Sequence, residues 1–227
     1  MKILIAGTGP GNPELITLSA HKAALSADII IVPRSKTSTQ GLAEKVITHH
    51  FPDKKYLPLT FPMTRDSHTR DSLILSQLEA HRPDWENAST IFFPVIGDSM
   101  LYSTGKYLLD AFRLLVPDIE AEFIPGISAH SLAASCAKKF LAMDDEILAI
   151  IPGTADSERI RRTLSACDCA AVYKPTALTN PQELFIGFRA MRIDYAGIPG
   201  LERITYGDQA LTNIHDYLSI ILLWRDS

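Results

Sequence analysis

The chain has 227 residues, 46% of them hydrophobic, with 26 acidic side chains against 22 basic ones and a formal net charge of −4. That is enough apolar material for one large domain or two small ones, and the mild acidity without a basic run argues against nucleic-acid binding. No apolar run approaches the length of a membrane helix and no leader pattern precedes the first strand, so the expected location is the cytoplasm, with no membrane partner.

In chain order, strands are expected at 2–6, 28–32, 89–95, 120–124, 147–151, 169–173, 202–206 and 217–224. Helices are expected between them at 15–26, 39–49, 67–82, 101–115, 128–138, 157–166 and 181–190. The first half alternates strand and helix, which points to a largely parallel, covered sheet. From Leu201 two strands follow one another without a helix, which suggests that they pair antiparallel. Lys55 to Arg70 is rich in Pro, Thr and charge and reads as a surface loop entering a helix capped at Asp66 or Ser67. Pro125-Gly126 ends a strand before Ser128, and a domain boundary is expected there, dividing the chain into 1–125 and 126–227.

The first loop, Gly7-Thr8-Gly9-Pro10-Gly11-Asn12-Pro13, sits between a strand and a helix. That placement suits a dinucleotide-binding loop, in which free backbone N–H groups cradle a pyrophosphate. Against that reading, Asn12 replaces the third glycine, and Pro10 and Pro13 each remove a donor. The next strand leads into Pro33-Arg34 rather than to an acid that would hold a ribose. The loop is better suited to shaping a cleft. Cys136, Cys167 and Cys169 are odd in number and lack a four-ligand spacing, so they read as reduced structural thiols, and no metal is expected.

Four segments together resemble the tetrapyrrole methylase family. They are Gly7 to Glu14, Gly97-Asp98-Ser99-Met100-Leu101-Tyr102-Ser103-Thr104, Ile124-Pro125-Gly126-Ile127-Ser128, and Tyr217 to Leu222. Each alone is weak; their order and spacing together are specific. Within the family, the run Met100 to Thr104 and the segment Asp144 to Pro152 are similar to the branch that methylates carbon 20 of precorrin-2 or cobalt-factor II in cobalamin biosynthesis. Two positions depart from the pattern: Ser99 stands where the family has proline, and Asp144 where the branch has glycine.

The resemblance implies an α/β fold of two domains with the active-site cleft between them, a homodimer, S-adenosyl-L-methionine as cofactor (S-adenosyl-L-homocysteine as product) and a tetrapyrrole as substrate. It implies cofactor contacts at Pro10, Gly97, Asp98, Ser99, Met100, Ser103, Thr104, Ile127, Tyr173, Lys174, Thr205 and Tyr206, with Ser128, Met143 and Ala149 near them. Several of these have plainer readings. Ser99 to Thr104 is also an ordinary helix cap, Asp98 either accepts from the cofactor or closes an Asx-turn, and Lys174 by itself is more often a solvated charge than a contact. A polycarboxylate ring calls for Arg and Lys receptors. Arg34 is the first choice, followed by Arg65, His68 and Arg70, with Gly9, Pro10 and His130 on the substrate side of the cleft. No residue declares itself as a catalytic base. The alternatives are the same fold acting on another corrin carbon, uroporphyrinogen III or a diphthamide precursor; a nicotinamide-dependent oxidoreductase; and a non-catalytic relative that keeps the cofactor.

Overall fold

The structure, a computed structural model, describes residues 1–35, 40–62, 64 and 66–226. The chain divides into two compact units, Met1–Ser128 and Ala129–Ser227. The first unit runs β1 (Lys2–Gly7), α1 (Leu18–Ser26), β2 (Ile29–Arg34), α2 (Leu42–His50), β3 (Tyr56–Thr60), α3 (Ser67–Ala80), α4 (Arg82–Trp85), β4 (Thr90–Val95), α5 (Gly105–Leu115) and β5 (Glu120–Ile124). Its strands form one parallel sheet in the order β3-β2-β4-β1-β5. A strand covered on both faces is apolar at nearly every position, and the inner strands β1, β2 and β4 show it. Ile3 and Ile5 of β1 pack with Ile74 and Leu78 of α3 and with Leu108 and Phe112 of α5. Leu4 and Ala6 face the other way, onto Ala20 and Ala24 of α1 and Ile47 of α2.

The second unit runs α6 (Ala129–Ala137), β6 (Leu148–Pro152), α7 (Ser157–Leu164), β7 (Cys169–Tyr173), α8 (Pro181–Leu184), β8 (Phe188–Asp194), β9 (Arg203–Tyr206) and β10 (Ser219–Arg225). Its sheet has the order β6-β7-β10-β8-β9. β6 and β7 are parallel; β10 runs antiparallel to both β7 and β8, and β8 antiparallel to β9. Ile221 and Leu223 of β10 pack on the α7 and α8 side, while Ile220, Leu222 and Trp224 face Ala133 of α6. Among the described residues no helix is long and apolar enough to cross a membrane.

Four expectations are corrected. The segment after Lys55 is not all loop: Tyr56–Thr60 forms the edge strand β3, burying Leu57 and Leu59 and leaving Pro58 exposed. Proline fits an edge strand, where no neighbour needs its N–H. The helix expected over 181–190 is a single turn, stopped by Gly187 at φ +81, and the chain then enters β8. The last two strands do not pair with each other; each pairs antiparallel with β8, on opposite sides of it. Finally, the helix expected from 101 begins at Gly105, because Tyr102 adopts a left-handed conformation at φ +52. Asp66 does cap α3, accepting from the His68 N–H at 3.1 Å.

Candidate functional site

In a parallel sheet, ligands bind beyond the carboxyl ends of the strands. In the first unit those ends carry the glycine-rich segments. Gly7 closes β1, Gly97 follows β4 and Gly126 follows β5. The three backbones come so close that side chains are excluded at Gly7 and Gly126. A Cβ on Gly7 would lie 2.5 Å from the Gly97 carbonyl oxygen and 2.7 Å from the Gly126 Cα. A Cβ on Gly126 would lie 2.3 Å from that same oxygen.

The first loop is fixed onto β4. The Thr8 N–H and hydroxyl both donate to the Val95 carbonyl, at 2.9 and 3.0 Å, and Gly9 and Gly97 exchange backbone hydrogen bonds at 3.2 and 2.7 Å. Asn12 accepts from the Glu14 N–H at 3.0 Å, and His50 Nε2 meets the Pro13 carbonyl at 3.0 Å. Gly9 and Pro10 are buried. The Thr8 and Gly9 N–H groups are thus engaged within the protein and Pro10 and Pro13 have none to give, which leaves the loop poor in donors for a phosphate cradle of the dinucleotide kind.

Asp98 ties the second loop to the third. Its Oδ1 accepts from the Met100 N–H at 2.8 Å, closing an Asx-turn, and its Oδ2 accepts from the Gly126 N–H at 2.9 Å. Of the two readings open for this residue, the turn is the one on display. Two features of this region suit a ligand. Gly97 has φ +74, yet a Cβ there would meet nothing nearer than the Ile127 carbonyl oxygen at 4.0 Å, so there is open space beside it. Ser99 is 3% exposed, and its hydroxyl has no hydrogen-bond partner among the described residues. An unpaired buried hydroxyl is costly, and a bound polar group would satisfy it. Further along, Ser103 Oγ accepts from the Gly105 N–H at 3.0 Å and starts α5, whereas the Thr104 hydroxyl makes no capping bond. Met100 is 68% exposed and Ile127 half-buried. Open space, a spare buried hydroxyl and a helix start fit a small zwitterionic cofactor with a ribose.

Arg34 ends β2, on the same edge of the sheet, but not as a lone cation. Its Nε donates to Glu44 Oε2 at 2.8 Å and its Nη2 donates to Glu44 Oε1. The Glu44 carboxylate holds the Arg34 guanidinium above its ordinary pKa, chiefly through that hydrogen bond. Arg70 lies over the Tyr107 ring at 3.7 Å and bonds Asp71 at 2.8 Å, which gives it a structural task. His68 is exposed on the first turn of α3. Arg65 lies outside the described residues.

The second unit groups others of the expected residues. Tyr173 ends β7, and its hydroxyl sits 2.8 Å from His130 Nδ1 on the first turn of α6. Lys174 follows in a left-handed conformation at φ +54. Thr205 and Tyr206 end β9, Tyr206 with 59% of its surface exposed. Met143 is exposed, while Ala149 packs beside the α7 side of its sheet. Sequence reasoning missed Glu44, which reads as a solvated helix charge in the string and has no local signal of its pairing with Arg34. The three thiols are free; burial raises the pKa of Cys167 and Cys169, and burial together with Glu202 pushes Cys136 up to about 11. No cluster of metal-ligand type occurs among the described residues.

The fold and this arrangement of strand ends define a class. The family model of the tetrapyrrole (corrin/porphyrin) methylases matches residues 2–194. The chain belongs to that family. It is 29% identical to the precorrin-2 C(20)-methyltransferase of Sinorhizobium sp over 99% of this chain and 96% of that one. It is also 29% identical to the cobalt-precorrin-2 C(20)-methyltransferase of Salmonella typhimurium, over 76% of this chain and 72% of the relative. Among solved structures, the uroporphyrin-III C-methyltransferase of Thermus thermophilus, complexed with S-adenosyl homocysteine, shares the fold with a TM-score of 0.68 at 18% identity, over 98% of this chain and 96% of that one.

Proposed function

We propose that this protein transfers a methyl group from S-adenosylmethionine to carbon 20 of precorrin-2 or of its cobalt form. The observation that carries the reading is the end-to-end likeness to a precorrin-2 C(20)-methyltransferase, over 99% of this chain. In the reaction the sulfonium S–CH3 bond breaks, a C–CH3 bond forms at the ring carbon, and that carbon gives up its proton. S-adenosylmethionine supplies the electrophilic methyl group when bound. The protein's share is to align the two reactants and exclude water.

In this reading Gly97 leaves room for the cofactor, Ser99 and Thr104 offer hydroxyls, and Asp98 holds the loop that presents Met100 and Ser103. Pro10, Ile127, Tyr173, Lys174, Thr205 and Tyr206 are the remaining cofactor contacts. Gly9, Pro10, Arg34, Arg65 and His130 serve the ring. A homodimer in the cytoplasm completes the proposal, and light scattering of the purified protein tests the dimer.

The experiment is calorimetric titration with S-adenosylhomocysteine, with NAD as control, followed by anaerobic turnover of precorrin-2 and cobalt-factor II read by mass. Binding of the first ligand alone and a gain of one methyl are expected. Binding without methyl gain would move the acceptor elsewhere, and no binding would overturn the reading.

A further inference from the structure

Arg34 and Glu44 form an ion pair of unequal members. The Glu44 side chain is 4% exposed and the Arg34 side chain 32%. Glu44 lies in the first turn of α2, where its Oε2 also accepts from the Gly41 N–H at 3.2 Å. A buried carboxylate needs a cation and further donors, and here it has both. What is unusual is the other partner. A guanidinium carries five N–H donors in a planar fork. Glu44 engages the Nε and Nη2 side of that fork. Among the described residues Nη1 has no hydrogen-bond partner. The second edge of the fork, Nη1 with the remaining Nη2 hydrogen, therefore stays available on a side chain that is one-third exposed.

Location adds a second argument. Arg34 is the last residue of β2, paired in register with Thr60 of β3, at the carboxyl edge of a parallel sheet. Ligands approach such a sheet from that edge. An ion pair built only for stability gains nothing from exposing the member that carries the spare donors.

We infer that Glu44 is a positioning residue that locks the Arg34 guanidinium so that its outer edge grips a carboxylate arm of the tetrapyrrole substrate. The inference rests on the proposed methyl transfer to a polycarboxylate ring. Glu44 touches no substrate; it fixes the plane of the fork and removes the rotamer freedom that a flexible arginine would lose on binding. Carboxylates gripped through two parallel N–H bonds are held in orientation as well as in place.

The test uses uroporphyrin III as a stable polycarboxylate ring, titrated by absorbance, beside calorimetry with S-adenosylhomocysteine. Glu44→Gln is expected to weaken uroporphyrin binding about tenfold, and Arg34→Lys, which keeps the charge for Glu44 but loses the fork, by a similar factor. Cofactor affinity should stay unchanged in both. In turnover, KM for the ring rises with kcat nearly unchanged, and the double variant is scarcely worse than either single one, because the two residues act as one unit. Should both variants bind uroporphyrin as the wild type does, with only a lowered melting temperature, the pair is structural and the inference falls. Should the wild type bind cofactor but take neither uroporphyrin nor precorrin-2, the proposed substrate class falls and takes the inference with it.

Discussion

Gly7 and Gly97 stand at the ends of neighbouring strands and require glycine for different reasons. At Gly7 the backbone of Gly97 and Gly126 occupies the place of a side chain. Gly7→Ala should therefore destabilise the fold by about 3 kcal/mol, as overpacking against rigid backbone does. At Gly97 there is room but φ is +74. Gly97→Ala should cost only about 1–2 kcal/mol in conformation, while the methyl group enters the open space and weakens S-adenosylhomocysteine binding. Urea melts of the two variants, with and without that ligand, separate the two causes. Ser99 gives a reciprocal expectation. Its buried hydroxyl lacks a partner among the described residues, so Ser99→Ala should raise the stability of the free protein by about 1 kcal/mol and lower the extra stability gained on adding S-adenosylhomocysteine. An unchanged ligand effect would remove Ser99 from the site. The sequence pointed to these glycines through their strand–loop–helix setting, and to Ser99 as a departure from a proline. It could not show that the hydroxyl would be left unpaired, because that depends on what packs around residue 99 from elsewhere in the chain.

Among the elements, the long apolar runs were readable, whereas β3 and β8 were not. β1, β2 and β4 announce themselves because both of their faces are buried. β3 hides behind Pro58, and β8 behind Arg189, Arg192 and Asp194. The last two charges are buried together: Arg192 Nε bonds Asp194 Oδ2 at 3.1 Å, its Nη1 reaches the Ala210 and Thr212 carbonyls at 3.3 and 2.6 Å, and Ser219 donates to Asp194 at 2.5 Å. Charges inside a strand suggest an exposed face until the partners from β10 and the turn after β9 are known. Asp194→Asn leaves the Arg192 guanidinium buried without its counter-charge and should cost about 3 kcal/mol in denaturant unfolding. Between β3 and α2, burial pushes the Tyr56 phenol up to about 12, with the Glu44 carboxylate adding to the shift. A raised phenol pKa means the fold prefers the protonated form. That contribution is fully present below the unfolded value near 10 and is lost as pH rises through the folded value near 12. Thermal melts between those limits should fall more steeply for the wild type than for Tyr56→Phe.

At the scale of the whole molecule, the two units differ in how their sheets are completed. Every strand of the first sheet is supplied by residues 2–124, and the family match, at residues 2–194, ends on the last residue of β8. The second sheet has its middle place filled by β10, which lies between β7 and β8 although it follows both in the chain. The order of synthesis then becomes an order of folding. While a ribosome is still making residues 195–218, the first unit has all its strands, but β7 and β8 face a gap where their common neighbour belongs, with apolar side chains such as Val172 and Ile193 uncovered. A released chain ending at Leu218 should present a protease-resistant first unit and a second unit open to cleavage and to chaperone capture. Extending the same chain through Arg225 should close that window in one step, because seven residues join both halves of the sheet at once.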